Sequence, residues 1–143
     1  MTTFTIEDIL ELDPCEEYTE ERLKELWKGK ESLALREILE LTIPIDDRNW
    51  VMPRLVSVEI VVKWAHLCAH EAKKHATTTN AARSATNAAN AANAARYANA
   101  AWSAWSAWSA WYAAWYAANA AWSKTRDKEL YRLLTILCDM TEE

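Results

Sequence analysis

From Asn87 to Trp111 every third residue is larger than Ala or Ser: Asn87, Asn90, Asn93, Arg96, Asn99, Trp102, Trp105, Trp108 and Trp111. The positions between them are almost all Ala or Ser, with Tyr97 the exception. Ala is the strongest helix former, and six of the nine tryptophans lie within residues 102–122, so the segment reads as helix rather than low-complexity coil. At about 100° per residue, a step of three falls about 60° short of a turn. Eight such steps carry the large residues round more than one circumference, so they cannot share one face of a straight helix. An unbroken helix over 81–123 would be about 65 Å long at 1.5 Å per residue. A compact domain of this length has a radius of gyration of only about 15 Å. The pattern therefore predicts a break near Arg96–Ala100 and a pair of long Ala/Trp-rich helices. A continuous rod running through an oligomer is the alternative.

Within the later helix, Trp108, Trp111, Trp115 and Trp122 project within roughly 60° of one another, opposite most of the Ala and Ser. Each indole can bury about 200 Å², worth several kcal/mol at about 25 cal/mol per Å², and its N–H wants an acceptor. The row is expected to pack on the N-terminal part, to form a subunit interface, or in part to line a pocket. Trp and Tyr stack on planar rings, Asn amides can read ring edges, and Arg pairs with phosphate. The candidate ligand-binding residues on this reading are Arg83, Asn87, Asn90, Arg96, Tyr97, Trp102, Trp105, Trp108 and Tyr112.

The remainder has the punctuation of an ordinary small helical domain. One Gly and three Pro in 143 residues leave few turn-makers for a many-stranded fold. Thr5 with Asp8 starts a helix over Ile6–Leu12, and Thr19 caps Glu20–Lys28, which Gly29 stops. Ser32 can cap a third helix through Leu41. Residues 42–54, with Pro44 and Pro53, read as a connector holding at most a short turn begun by Asp46 or Asp47. Ser57 opens a central helix to about His75, its apolar stripe formed by Val58, Val61, Val62, Ala65, Cys68, Ala69 and Ala72. Residues 127–140 form a C-terminal helix with Leu130, Leu133, Leu134 and Leu137 apolar. The expected fold is all-α in a single domain over 1–143: acidic short helices in 1–56, the central helix in 57–75, the triplet helices in 80–124, then the C-terminal helix.

The net charge of -5 hides a division. Residues 1–71 hold sixteen acids and eight bases, whereas residues 72–126 hold six bases and no acid. A carboxylate-free stretch would not repel an anionic ligand, although a segment of Ala, Asn, Ser and Trp is poor in charge of either sign for compositional reasons alone. The acids that flank it repel a long polyanion, so nucleic acid is not an expected partner. No run of about eighteen strongly apolar residues suggests a membrane span, and the acidic start does not resemble a secretory signal. Three widely spaced cysteines (Cys15, Cys68, Cys138) read as reduced thiols in a cytoplasm.

Chemistry-bearing motifs are missing. A single Gly forbids a phosphate-binding glycine loop, and there is no GxSxG, CxxC or HExxH. His66, Cys68, His70, Glu71 and His75 are clustered, but His66 and His70 share a helix face that Cys68 opposes, with no third ligand on the next turn. Partly buried histidines beside an apolar cysteine are the plainer reading. No enzyme, metal or cofactor is expected.

DDRNWV at Asp46–Val51, WAHLCAHEA at Trp64–Ala72 and the AAN and AWS repeats through Trp122 resemble an alanine-rich repeat immunity-protein family of bacteria, phages and mobile elements. That resemblance covers residues 45–123 and implies an all-helical, cytoplasmic, non-enzymatic, partner-binding protein. A leading function and one alternative, in that order, are then expected. One is sequestration, by a homo-oligomer, of a small anionic nucleotide-like defence signal through the triplet segment. The other is inhibition of a host protein or toxin through the acidic N-terminal surface, Glu16–Glu25 especially.

Overall fold

The computed structural model describes residues 2–75 and 126–142. The pair of Ala/Trp-rich helices and their break fall outside the described residues.

Local signals set most of the elements. Strand β1 (Thr3–Phe4) leads into α1 (Ile6–Leu10), which opens on a reciprocal capping box. There the Asp8 N–H donates to Thr5 Oγ1 at 3.2 Å, and the Thr5 N–H donates to Asp8 Oδ2 at 2.8 Å. Helix α2 (Glu20–Trp27) is capped by Thr19, whose Oγ1 accepts the Arg22 N–H at 3.2 Å. Glu20 and Glu21 stand in its first turn, where the helix dipole favours negative charge. It ends on Lys28 and Gly29, both left-handed (φ 51° and 81°), a conformation that Gly adopts without a Cβ penalty.

Beyond Gly29 the structure corrects two expectations. Leu33–Ala34 form strand β2, antiparallel to β1 with Thr3 opposite Ala34 and Phe4 opposite Leu33. Among the described residues the chain is mostly helical, as a small helical domain is expected to be, with this two-stranded ribbon as its one addition. Helix α3 consequently begins at Leu35, not after Ser32, and runs only to Leu39. Ala34 has no capping oxygen, and its N–H is satisfied instead by Glu37 Oε1 at 3.0 Å. The second correction is α4 (Ile45–Leu55), which occupies the expected connector. Pro44 sits at its N-cap and needs no N–H there, while its carbonyl accepts from Asp47 at 3.0 Å and Arg48 at 3.2 Å. Pro53 falls in the last turn, and the helix ends two residues later, with Val56 extended.

Helix α5 (Val58–His75) starts where Ser57 predicts it: the Ser57 carbonyl accepts the Val61 N–H at 3.0 Å. Helix α6 (Arg126–Glu142) is slightly longer than its leucine pattern suggests. It packs against α3, α4 and α5. The centre of the core lies at this junction, where Met52, Trp64, Ala65, Cys68, Leu130, Leu133, Leu134, Leu137 and Cys138 are all fully buried. Two buried indoles find backbone acceptors that tie elements together. Trp64 Nε1 donates to the Leu133 carbonyl at 2.7 Å, joining α5 to α6. Trp27 Nε1 donates to the Phe4 carbonyl at 3.2 Å, joining α2 to β1. Outside the core, Arg36 holds the Glu142 carboxylate through Nε and Nη2, both at 2.9 Å, and reaches Asp139 at 2.7 Å. Arg132 reaches Glu71 at 3.0 Å.

Candidate functional site

The residues singled out for ligand binding (Arg83, Asn87, Asn90, Arg96, Tyr97, Trp102, Trp105, Trp108 and Tyr112) lie outside the described residues. Within the described part, the best-formed concavity is a recess of about 550 Å³ on the N-terminal half. That volume is within the range of about 300–1,000 Å³ typical of small-molecule sites.

Four pieces of chain build it. The turn after α1 supplies one wall: Asp13 takes a left-handed φ of 55°, and the Tyr18 N–H closes back onto the Cys15 carbonyl at 3.0 Å. Asp tolerates that conformation better than bulkier or β-branched residues do. The apolar face of α2 makes a second wall through Leu23, Leu26 and Trp27. Ile38 of α3, followed by Leu41 and Ile43, makes a third. The first two turns of α4 complete it with Asp46, Asp47, Trp50 and Val51.

Polar atoms sit at defined places on this apolar lining. The Tyr18 hydroxyl donates to Asp47 Oδ2, bridging the α1–α2 turn to α4. Burial and the neighbouring Asp47 push the Tyr18 phenol well above its usual 10.0, so it stays a neutral donor. Asp46 accepts from both terminal nitrogens of Arg126, the first residue of α6. This interaction raises the Arg126 pKa. Asp13 and Asp47 have no cationic partner among the described residues, and no Lys, Arg or His lines the recess. Trp50 is held from one side by Arg54, whose guanidinium stacks 4.2 Å from the ring centroid and donates to the Trp50 carbonyl. The result is an apolar hollow with a negative mouth.

Other candidate chemistry is not assembled in the described part. His66 is half-buried and His70 exposed. Among the described residues no group of three His, Cys, Asp or Glu is placed to hold a metal ion. Burial raises the thiol pKa well above its usual value at Cys68 and pushes it up to about 11 at Cys138, so neither is a ready thiolate. Cys15 is exposed at the edge of the recess. No helix of the described residues is long and apolar enough to cross a membrane.

The residues that form this recess carried only weak signals in the sequence. Asp46 and Asp47 read as a turn start and Tyr18 carried no signal at all, because their pairing joins positions 29 apart. Comparison with protein-family models, curated proteins and solved structures finds no match to this chain.

Proposed function

We propose that the protein is a non-catalytic binding protein whose acidic N-terminal half receives a basic protein partner, in the manner of an inhibitor or toxin antidote. The observation that carries this reading is the recess: an apolar lining with carboxylates at its mouth and no base among its lining residues. Exposed Glu16, Glu17 and Glu21 add further negative charge to this half, while Glu20 and Glu25 pair with Lys24 and Arg22. The test is affinity capture from a bacterial host lysate with the wild-type chain and with a Glu16→Lys, Glu17→Lys, Glu20→Lys variant. The reading expects a basic protein retained by the wild type and lost by the variant. An identical set captured by both refutes it.

A second reading rests on the carboxylate-free stretch 72–126. There Arg83 and Arg96 would meet phosphate, Trp102, Trp105 and Trp108 would stack, and the Asn residues with Tyr97 and Tyr112 would read edges of an anionic nucleotide-like molecule held by a homo-oligomer. Mass spectrometry of small molecules released by heating the purified protein, followed by calorimetry with cyclic nucleotides and ADP-ribose derivatives, tests it. Absence of binding across that panel removes it.

A further inference from the structure

We infer that the recess under the Tyr18–Asp47 bridge is the anchor site for one large apolar side chain of that partner, flanked by an ammonium or guanidinium group that pairs with Asp47. This inference rests on the basic-partner reading and says where and how such a partner is gripped.

The walls select the apolar part. Ile9, Leu26, Ile38 and Val51 present hydrocarbon to a space larger than a water cluster needs, and filling it with an aromatic or branched side chain removes apolar surface on both sides from water. The mouth selects the charge. Asp47 uses Oδ2 for the Tyr18 hydroxyl, and a carboxylate has acceptor sites to spare, so Oδ1 can take a second donor. The Tyr18 bond fixes the orientation of the carboxylate without neutralising it, since the phenol keeps its proton. Asp13 stands at the same mouth. Asp46 is already paired with Arg126, which leaves Asp47 as the oriented acceptor for an incoming cation and Asp13 as a further lining carboxylate. An anionic head group would meet the carboxylates of Asp13 and Asp47, with no Lys, Arg or His among the lining residues. The occupant is a protein segment rather than a lone small cation because exposed Glu16 and Glu17, unpaired among the described residues, follow directly on the Asp13 turn and offer further acceptors to neighbouring basic residues.

Tryptamine and indole-3-propionate test this directly, since they carry the same ring with opposite head charge. Each is titrated into the full chain and followed by amide chemical shifts. Tryptamine is expected to move the amides of 13–18 and 46–51 saturably, with indole-3-propionate at least about tenfold weaker. Asp47→Asn retains an acceptor for Tyr18 but removes the charge, and should weaken tryptamine roughly tenfold, the effect of one partly desolvated ion pair. Tyr18→Phe frees Asp47 and should leave tryptamine binding equal or tighter. Ile43→Trp fills the hollow and should abolish both, with its circular dichroism spectrum checked for an intact fold. Equal binding of the two indoles, or shifts confined to other residues, overturns the inference. If the captured partner is lost on Glu→Lys reversal yet survives Ile43→Trp and Asp47→Asn, the basic-partner reading stands and this anchor site falls.

Discussion

Replacing Trp64 by Phe separates what holds α6 in place. Trp64 is fully buried, and its Nε1 bond to the Leu133 carbonyl, at 2.7 Å, links α5 to α6. The substitution removes roughly three ring atoms from a fully buried site, costing about 2 kcal/mol at about 0.8 kcal/mol per methylene-sized group. It also removes a buried hydrogen bond worth about 1 kcal/mol. The expected loss is about 3 kcal/mol, which at roughly 2–4 °C per kcal/mol lowers the melting temperature by about 6–12 °C. Arg36→Ala is the contrasting perturbation, since it breaks the contacts to Glu142 and Asp139 that join α3 to α6 at the surface. Exposed ion pairs contribute about 0–1 kcal/mol, so its melting shift should stay within about 4 °C. Thermal and urea unfolding, each followed by circular dichroism, measure both variants. A Trp64→Phe shift under about 2 °C, or a larger shift for Arg36→Ala, would refute the account in which buried packing rather than the salt bridges docks this helix.

Native protein treated with a thiol reagent should release one equivalent quickly, from exposed Cys15, while buried Cys68 and Cys138 react only on denaturation; rapid labelling of two or three thiols in the native state contradicts this. Thr19→Ala removes the oxygen that caps the Arg22 N–H and should cost about 1 kcal/mol in urea unfolding, with Thr19→Ser close to neutral. The Arg36 hydrogen bond holds the Glu142 carboxyl below its usual 4.5. A carboxyl depressed in the folded state contributes stability fully above pH 4.5, and that contribution is lost as pH falls through the folded value. The stability difference between wild type and Arg36→Ala should therefore be constant from pH 5 to 7 and shrink on acidification. A difference that grows below pH 4.5 is the opposite sign and rejects it.

Elements whose cues lie within one turn were legible in the residues. Thr5 with Asp8, Thr19 ahead of two glutamates, and Ser57 ahead of the valine stripe each name a helix start within a few positions, and the structure places all three there. The leucines of α6 likewise pointed to the face that is buried. What escaped depended on partners distant in sequence. The β1–β2 ribbon has only two residues per strand and pairs positions about thirty apart, too short for any alternation to show. Helix α4 was obscured by Pro44 and Pro53, which read as breakers until their places at the N-cap and last turn make them tolerable. The recess was invisible for the same reason. Asp13, Tyr18, Asp47 and Trp50 have no common spacing, and only tertiary packing of α1, α2, α3 and α4 brings them to one mouth. The tryptophan row stands out in the sequence because periodicity is visible without any tertiary partner.

The docking of α6 on α5 has a consequence for how such a chain can change over generations. The helices that precede and follow residues 76–125 are clamped to each other by the Trp64 hydrogen bond and the Glu71–Arg132 pair. Gaining or losing an AWS or AAN unit alters none of the side chains in that clamp. A chain with more or fewer such units therefore retains every residue by which α5 and α6 hold each other.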